Sequence, residues 1–530
     1  MSGSRVGRAA GRVRYRVRAR LTRACTEKKT PNMWATQSSS RGGWLGRLCR
    51  VTWAFQLGLL LLGNAPVIAQ SWRAAALQRI EQYRKGTIRV QVLDPDGRPV
   101  EGAQVHVRMR RHAFGFGTAV SFGLVLGPHA HPVYRARLED LTGDGRTFNM
   151  ATPENALKWP WWEAERPIPN AQKIEVIDWL RALGYEIRGH NLLWPDWRWL
   201  PQDVAAHRDD PAYIHDRVRR HIAAVAGHSG LRGKLRDWDV LNEPAHLTAL
   251  RDVFDGWGPY RRGEDFYVDV FRWAKAADSS ARLFINEFNI INNYANEGAT
   301  RAYYKQIIAE LLAQGAPLEG IGIQSHFTVP LPSMTEVKAA LDSLAAFGLP
   351  LSITEYDVRG ASEQAEASFM EDFLTMVFSH PAVESFIMWG FWDGAHWRDD
   401  APLFREDWTL KPSGKVFLDL VFNRWWTDTT GVTGPDGSWT VRGFLGDYEV
   451  TVRHEDLRAD REMSLRSRSD ASRVTVVLGA TGELMRSRPK GRKPEVVPGD
   501  GTPVRSRRDR VAAAGLNRPG PLRLYLNSGN

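Results

Sequence analysis

The sequence predicts an α/β protein: a (β/α)8 TIM barrel with a small split β-sandwich formed by flanking N- and C-terminal segments. Three observations carry this. Eight runs suited to buried strands lie near 114–119, 147–151, 185–190, 236–242, 282–286, 320–325, 351–355 and 384–390. Amphipathic helical stretches follow them, at 171–183, 212–226, 264–277, 299–314, 334–347 and 363–379. Strands alternating with helices build a parallel sheet, and eight such units close into a barrel. Polar side chains also gather where the strand runs end: Glu154, His190, Asn242, Glu243, Glu287, Gln324, His326, Glu355 and Trp389. In a parallel barrel those ends form one face, the one that carries functional groups.

The flanks read as β-structure. Thr87–Leu93 alternates, Asp94-Pro-Asp-Gly97 is a turn, and Ala103–Met109 alternates again, which predicts a β-hairpin within 86–112. Residues 428–480 repeat the pattern. Pro435-Asp-Gly437 precedes Ser438–Arg442, Gly446-Asp447 precedes Tyr448–Val452, and Arg473–Leu478 makes a last strand. Neither segment has strands enough to stand alone, so we expect them to pair with each other across the barrel. The alternative is two separate decorations. The resulting domain scheme is a basic leader and signal peptide at 1–69, sandwich halves at 86–112 and 428–480, a barrel at 113–427 and a basic tail at 484–530.

A chain of 530 residues holds a barrel of roughly 250–350 residues with such accessories. Its 21 tryptophans serve a large core, and their faces suit sugar rings as well. The net charge of +11 misleads. Residues 1–50 contribute +12 and residues 484–530 contribute +8, leaving −9 for 51–483. The folded part is acidic, so the basic balance is no argument for a nucleic-acid-binding domain, and no nucleic-acid partner is expected. The Arg/Pro/Gly-rich tail reads as disordered and solvated; attachment to an anionic polymer is its alternative.

Val51–Leu62 is an apolar run behind Arg47 and Arg50, shorter than the ~20 residues of a membrane span. With Val67-Ile68-Ala69 after it, it reads as a secretory signal cleaved near Ala69, which predicts a secreted or periplasmic protein with no stable membrane span. Met33 would give that signal a conventional start; an uncleaved anchor is the alternative. Both cysteines, Cys25 and Cys49, lie in this leader. The mature chain is expected to have no disulfide and to be a monomer held by core burial.

Two strand-like runs deliver a carboxylate at their C-terminal end: Arg236-Asp-Trp-Asp-Val-Leu-Asn-Glu-Pro244 carries Glu243, and Leu351-Ser-Ile-Thr-Glu-Tyr-Asp-Val358 carries Glu355. Strand-end glutamates can be ordinary charged loop starts. Two facing carboxylates are what cleavage of a glycosidic bond requires, one to protonate the leaving oxygen and one to attack or activate water. No metal or cofactor is expected. His129-x-His131 lacks further ligands at useful spacing, Asp140–Gly145 is a turn and not a calcium loop, and Gly115-Phe-Gly117 is no nucleotide loop.

Over roughly 114–425 these residues resemble glycoside hydrolase family 10, the endo-β-1,4-xylanase family (EC 3.2.1.8). Gly348-Leu-Pro-Leu-Ser-Ile-Thr-Glu-Tyr-Asp-Val358 resembles the family's nucleophile signature, and Trp238-Asp-Val-Leu-Asn-Glu243 its acid/base motif. Thr152–Trp159, Gly189–Trp194, Gly320–His326 and Trp389–Trp397 fill the other strand ends in the family's order. The flanking β segments, Gly434–Val452 among them, resemble the plant-type branch and its bacterial relatives. The resemblance implies a retaining enzyme on xylan with Glu355 as nucleophile and Glu243 as acid/base. It implies that His326 and Asp357 support the nucleophile and that Asn242 meets the sugar 2-hydroxyl. Glu154, Asn155, Lys158, His190 and Gln324 would bind hydroxyls, and Trp194, Trp389 and Trp397 would line the substrate. Lys158 with Glu154 as a structural ion pair, His190 as a core histidine and the tryptophans as packing are the competing readings. Trp159, Trp161 and Trp162 are read as packing. Two departures bear on the mouth: Pro195-Asp196 follows Trp194 where the family pattern continues with His, and Phe391-Trp392 stands where smaller or polar residues are common. The rival functions are another retaining β-glycanase on the same barrel and a catalytically silent carbohydrate-binding protein.

Overall fold

The computed structural model describes residues 72–291, 297–466, 468 and 472–479. The basic leader, the apolar run with its cleavage point, both cysteines and the basic tail lie outside the described residues. Among the described residues no helix is long and apolar enough to cross a membrane.

A helix over 72–83 leads into β1 (Lys85–Leu93) and β2 (Gln104–His112). The barrel strands follow: β3 (Gly115–Val120), β4 (Met150–Pro153), β5 (Glu186–Leu193), β6 (Asp237–Asn242), β7 (Arg282–Glu287), β8 (Gly320–Ile323) with its short continuation β9 (His326–Thr328), β10 (Leu351–Arg359) and β11 (Val383–Met388). Each pairs in parallel with the next, and β11 pairs with β3, so the sheet closes. β3 and β6 are buried at every position. Strands covered on both faces by sheet interior and helices need such near-continuous burial.

The helices Asn170–Ala182, Pro211–Ala226, Asp265–Ala277, Glu297–Ala313, Met334–Ala345 and Glu363–Ser379 lie close to their expected spans. Their starts are chemically marked: Asp210 and Ser362 accept from Tyr213 and Ala365 N–H groups, and Ser333 with Glu336 makes a full capping box. The N-terminal helix is tied to the barrel through Arg84, whose guanidinium donates to the carbonyls of Phe378, His380 and Val383, each at 2.6 Å.

β12 (Asp428–Val432), β13 (Ser438–Phe444), β14 (Gly446–His454), β15 (Leu457–Leu465) and β16 (Ser472–Val477) complete the fold. They form two sheets with the N-terminal strands, in the orders β13-β1-β16 and β12-β2-β14-β15. The two flanks therefore do build one split sandwich. The predicted hairpin is a correction. Its turn closes locally, with Gly97 N–H donating to Asp94 O at 3.0 Å and Val100 N–H to Val92 O at 3.0 Å. Gly102, at φ +78°, then turns the chain away. β1 and β2 end in different sheets, each between C-terminal strands.

Below the mouth, charged residues cross the barrel. Arg188, fully buried, donates to Asp239 and lies over the Phe284 ring. Arg282 donates to Asp237 and Glu384, and Arg236 to Glu186 and Glu384.

Candidate active site

The strand ends are laced by backbone hydrogen bonds that fix the two glutamates relative to each other. Glu243 N–H donates to Asn286 O at 2.8 Å, Gln324 N–H to Glu287 O at 2.9 Å, and Glu355 N–H to Gln324 O at 2.9 Å. Glu243 itself stands at φ +59°, a region few non-glycine residues occupy and one often found at functional sites.

Side chains continue the lacing. Glu243 Oε1 accepts from Gln324 Nε2 at 2.9 Å and from Asn242 Nδ2 at 3.2 Å, and its Oε2 accepts from Trp194 Nε1 at 2.9 Å. Glu355 Oε1 accepts from Asn286 Nδ2 at 2.8 Å, and Oε2 meets His326 Nε2 at 3.1 Å. Asn286 Nδ2 also reaches Asn242 Oδ1 at 2.9 Å, so two amides connect the carboxyls. His326 Nδ1 meets Asp357 Oδ2 at 2.9 Å, and Asp357 further accepts from Trp397 Nε1 at 2.7 Å and Arg398 Nη1 at 2.9 Å.

These surroundings make the two carboxyls unlike. Burial, then the charges of Glu287 and Glu355, push Glu243 up to about 7, against the donors Gln324 and Trp194. Burial works against a charged His326, but Asp357 and Glu355 outweigh it and raise the imidazole to about 9. Asp357 is buried, which would raise it, yet His326 and Arg398 hold it below the usual carboxylate range. Glu355 thus sits between an amide and an imidazolium that both donate to it.

The remaining expected residues border the same mouth. Lys158 Nζ donates to Asn155 Oδ1 at 2.8 Å and lies 5.0 Å from the Trp194 ring centre and 5.7 Å from that of Trp389. Burial lowers the Lys158 ammonium against the pull of Glu154, Glu355 and Glu243. Glu154 accepts from Ser121 Oγ. His190 Nδ1 meets Asp239 Oδ2 at 3.0 Å while its ring edges Trp389 at 4.9 Å. Trp397 is 43% exposed, with the Arg398 guanidinium 4.4 Å from its ring centre and its N–H tied to Asp357. Trp389 is buried. The Gln324 amide donates to Glu243.

Trp159 and Trp162 are buried; His131 caps the helix Pro132–Glu139 through Tyr134 N–H and packs on Trp392.

Asn286, Arg398 and Asp239 escaped the sequence reading. Asn286 had a signal, a polar residue closing the apolar run Leu283-Phe-Ile285, and a buried polar group needs partners. Room for it comes from Gly322, where a β-carbon would collide with Asn286 Oδ1. Arg398 and Asp239 gave none, because their partners lie on distant strands.

A closed parallel barrel with two unlike carboxyls at its C-terminal mouth is an arrangement that carboxylate-pair glycoside hydrolases use. Residues 109–419 match glycosyl hydrolase family 10, and the chain belongs to that family. It is 31% identical over 392 residues to anti-sigma-I factor RsgI6 of Acetivibrio thermocellus, covering 73% of this chain and 48% of that protein. It is 29% identical over 376 residues to endo-1,4-beta-xylanase 1 of Arabidopsis thaliana, covering 71% of this chain and 37% of the plant protein. The chain thus spans half or less of the length of these two relatives. Among solved structures, xylanase 10B from Thermotoga petrophila RKU-1 in complex with xylobiose is 24% identical, with 59% of this chain and 95% of that chain covered and a TM-score of 0.49.

Proposed function

We propose that this chain is a secreted, monomeric, retaining endo-β-1,4-xylanase that cuts internal bonds of xylan by double displacement. The observation that carries the chemistry is the asymmetry of the carboxyl pair. Glu243, raised to about 7, keeps a proton to give at neutral pH. Glu355 faces two donors and is free to attack. In the first step Glu355 attacks the anomeric carbon while Glu243 protonates the departing oxygen. In the second, Glu243 takes a proton from water, which displaces Glu355 from the glycosyl-enzyme. Asn242, beside Glu243, is assigned the sugar 2-hydroxyl, and Glu154, Asn155, Lys158 and His190 the hydroxyls on the non-reducing side. Trp389 and Trp397 line the sugar faces. Family membership and the similarity to a plant protein named a xylanase support xylan as substrate. The apolar run at 51–62 with Ala69 behind it supports export.

The test is reducing-sugar release by the purified protein from xylan, cellulose and mixed-linkage glucan, beside Glu355→Ala. Xylan cleavage lost in the variant, with the β-anomer formed first by NMR, is expected. Activity on glucans alone keeps the chemistry and removes the xylanase reading. Folded protein that binds xylan but cleaves none of the three supports the binding-protein reading.

A further inference from the structure

Glu287, the last residue of β7, is a fully buried carboxylate that the scheme above does not use. Its neighbour Asn286 faces the two catalytic carboxyls, so strand alternation sends Glu287 the other way, behind the turn that carries Glu243. Three donors converge on it there. Ala245 N–H donates to Oε2 at 2.8 Å; His246 Nδ1 and Phe288 N–H each meet Oε1 at 2.8 Å. Ala245 and His246 belong to the turn that leaves Glu243, and that turn closes with Leu247 N–H donating to Glu243 O at 2.9 Å. The His246 ring is held in turn, stacked on Phe288 at 3.7 Å and 14°. The unusual backbone of Glu243 is therefore fastened on one side by the β7 main chain and on the other by the Glu287 carboxylate.

We propose that Glu287 is a positioning residue for Glu243: it clamps the turn that aims the acid and presents a negative charge behind its carboxyl. This rests on the glycosidase reading. The charged groups facing Glu243 are Glu287 on β7, Glu355 on β10, Lys158 beyond β4 and Arg198 beyond β5; Gln324, Trp194 and Asn242 offer neutral donors. After burial, Glu287 raises Glu243 more than Glu355 does. Glu287 is faced by His246 and, across from the helix Glu297–Ala313, by the Tyr304 hydroxyl. Burial pushes the Glu287 carboxyl up, against the pull of His246 and the two backbone amides. Those amides can only donate, which is the pattern an ionised carboxylate satisfies.

Two variants probe charge and clamp in the full chain. Glu287→Gln removes the charge and keeps the length, its one amide oxygen still able to accept from His246 and Phe288 while its NH2 cannot accept from Ala245 N–H. Glu287→Asp keeps the charge and shortens the reach. Glu243 is read directly by a 13C-carboxyl NMR titration, with Glu243→Gln identifying its resonance, and indirectly by kcat/KM on xylan against pH. In Glu287→Gln the Glu243 midpoint and the alkaline limb should fall by roughly 0.5–1 pH unit. In Glu287→Asp the midpoint should stay near the parent's while kcat falls about tenfold to a hundredfold with KM little changed. A folded Glu287→Gln with an unmoved Glu243 midpoint overturns the charge, and an unchanged kcat in Glu287→Asp overturns the clamp. A parent that turns over no xylan sinks the functional reading alone, because the NMR midpoint still judges the charge at Glu243.

Discussion

Glu243 and Glu355 carry the same side chain, and only their partners divide the work between them. If Glu243 is the acid, Glu243→Gln should lower kcat on xylan by about 10²–10⁴. The loss should be much smaller on an aryl xyloside whose phenol leaves without a proton; steady-state kinetics on both substrates checks this, and equal losses would remove the acid role. Because the protonated form is the working one, kcat/KM of the parent should decline as pH rises through about 7. His326 gives a stability prediction of definite sign. Its folded pKa is raised from 6.5 to about 9, so its contribution is full below about 6.5 and is lost as pH rises through about 9. The Tm gap between parent and His326→Gln should therefore shrink across that window in thermal melts. At this scale the sequence was informative where function and strand position coincide. Both glutamates, His326 and Asp357 sit at strand ends in recognisable frames. Asn286 showed only as a polar residue closing an apolar run, and Arg398 not at all, because hydrogen bonds to partners about 70 and 40 residues away leave no local pattern of their own.

Elements differ in how much of their order they lend to the site. Gly322 on β8 has no side chain, and the space it leaves beside β7 holds the Asn286 amide. Gly322→Ala should cost about 1–3 kcal/mol through overpacking and also lower kcat, since the displaced amide is the one donating to Glu355. Ser333→Ala, at the capping box of the helix Met334–Ala345, should cost a comparable ~0.5–2 kcal/mol with kcat unchanged. Denaturant melts and xylan assays on both variants make the comparison; parallel losses of activity would show that kcat follows stability alone. Barrel strands and helices were legible because their periods differ, continuous burial against 3.6-residue spacing. The hairpin at 86–112 misled for the complementary reason. Alternation marks a strand and the face it buries, but it does not name the neighbour, and Gly102 sends β2 into the opposite sheet.

For the whole molecule, the sandwich makes the chain's two ends depend on each other. The N-terminal segment supplies an internal strand to each sheet: β1 lies between β13 and β16, and β2 between β12 and β14. β1 alternates between buried Ile88, Val90 and Val92 and outward Thr87, Arg89 and Gln91, and β2 buries Val105, Val107 and Met109. Ending the chain at residue 427 leaves the barrel strands intact but strips both strands of every sheet neighbour. It exposes those apolar rows and leaves both edges of each strand unpaired, the features that drive association between chains. Removing 85–112 as well deletes the orphaned strands with their exposed rows. The single truncation should therefore be less soluble and less stable than the double one, although it retains more native residues. Size-exclusion chromatography and thermal melts of the two proteins decide it. A single truncation as soluble and as stable as the intact chain would mean that the sandwich contributes little to holding the barrel, and that the covalent detour of the two flanks serves something other than stability.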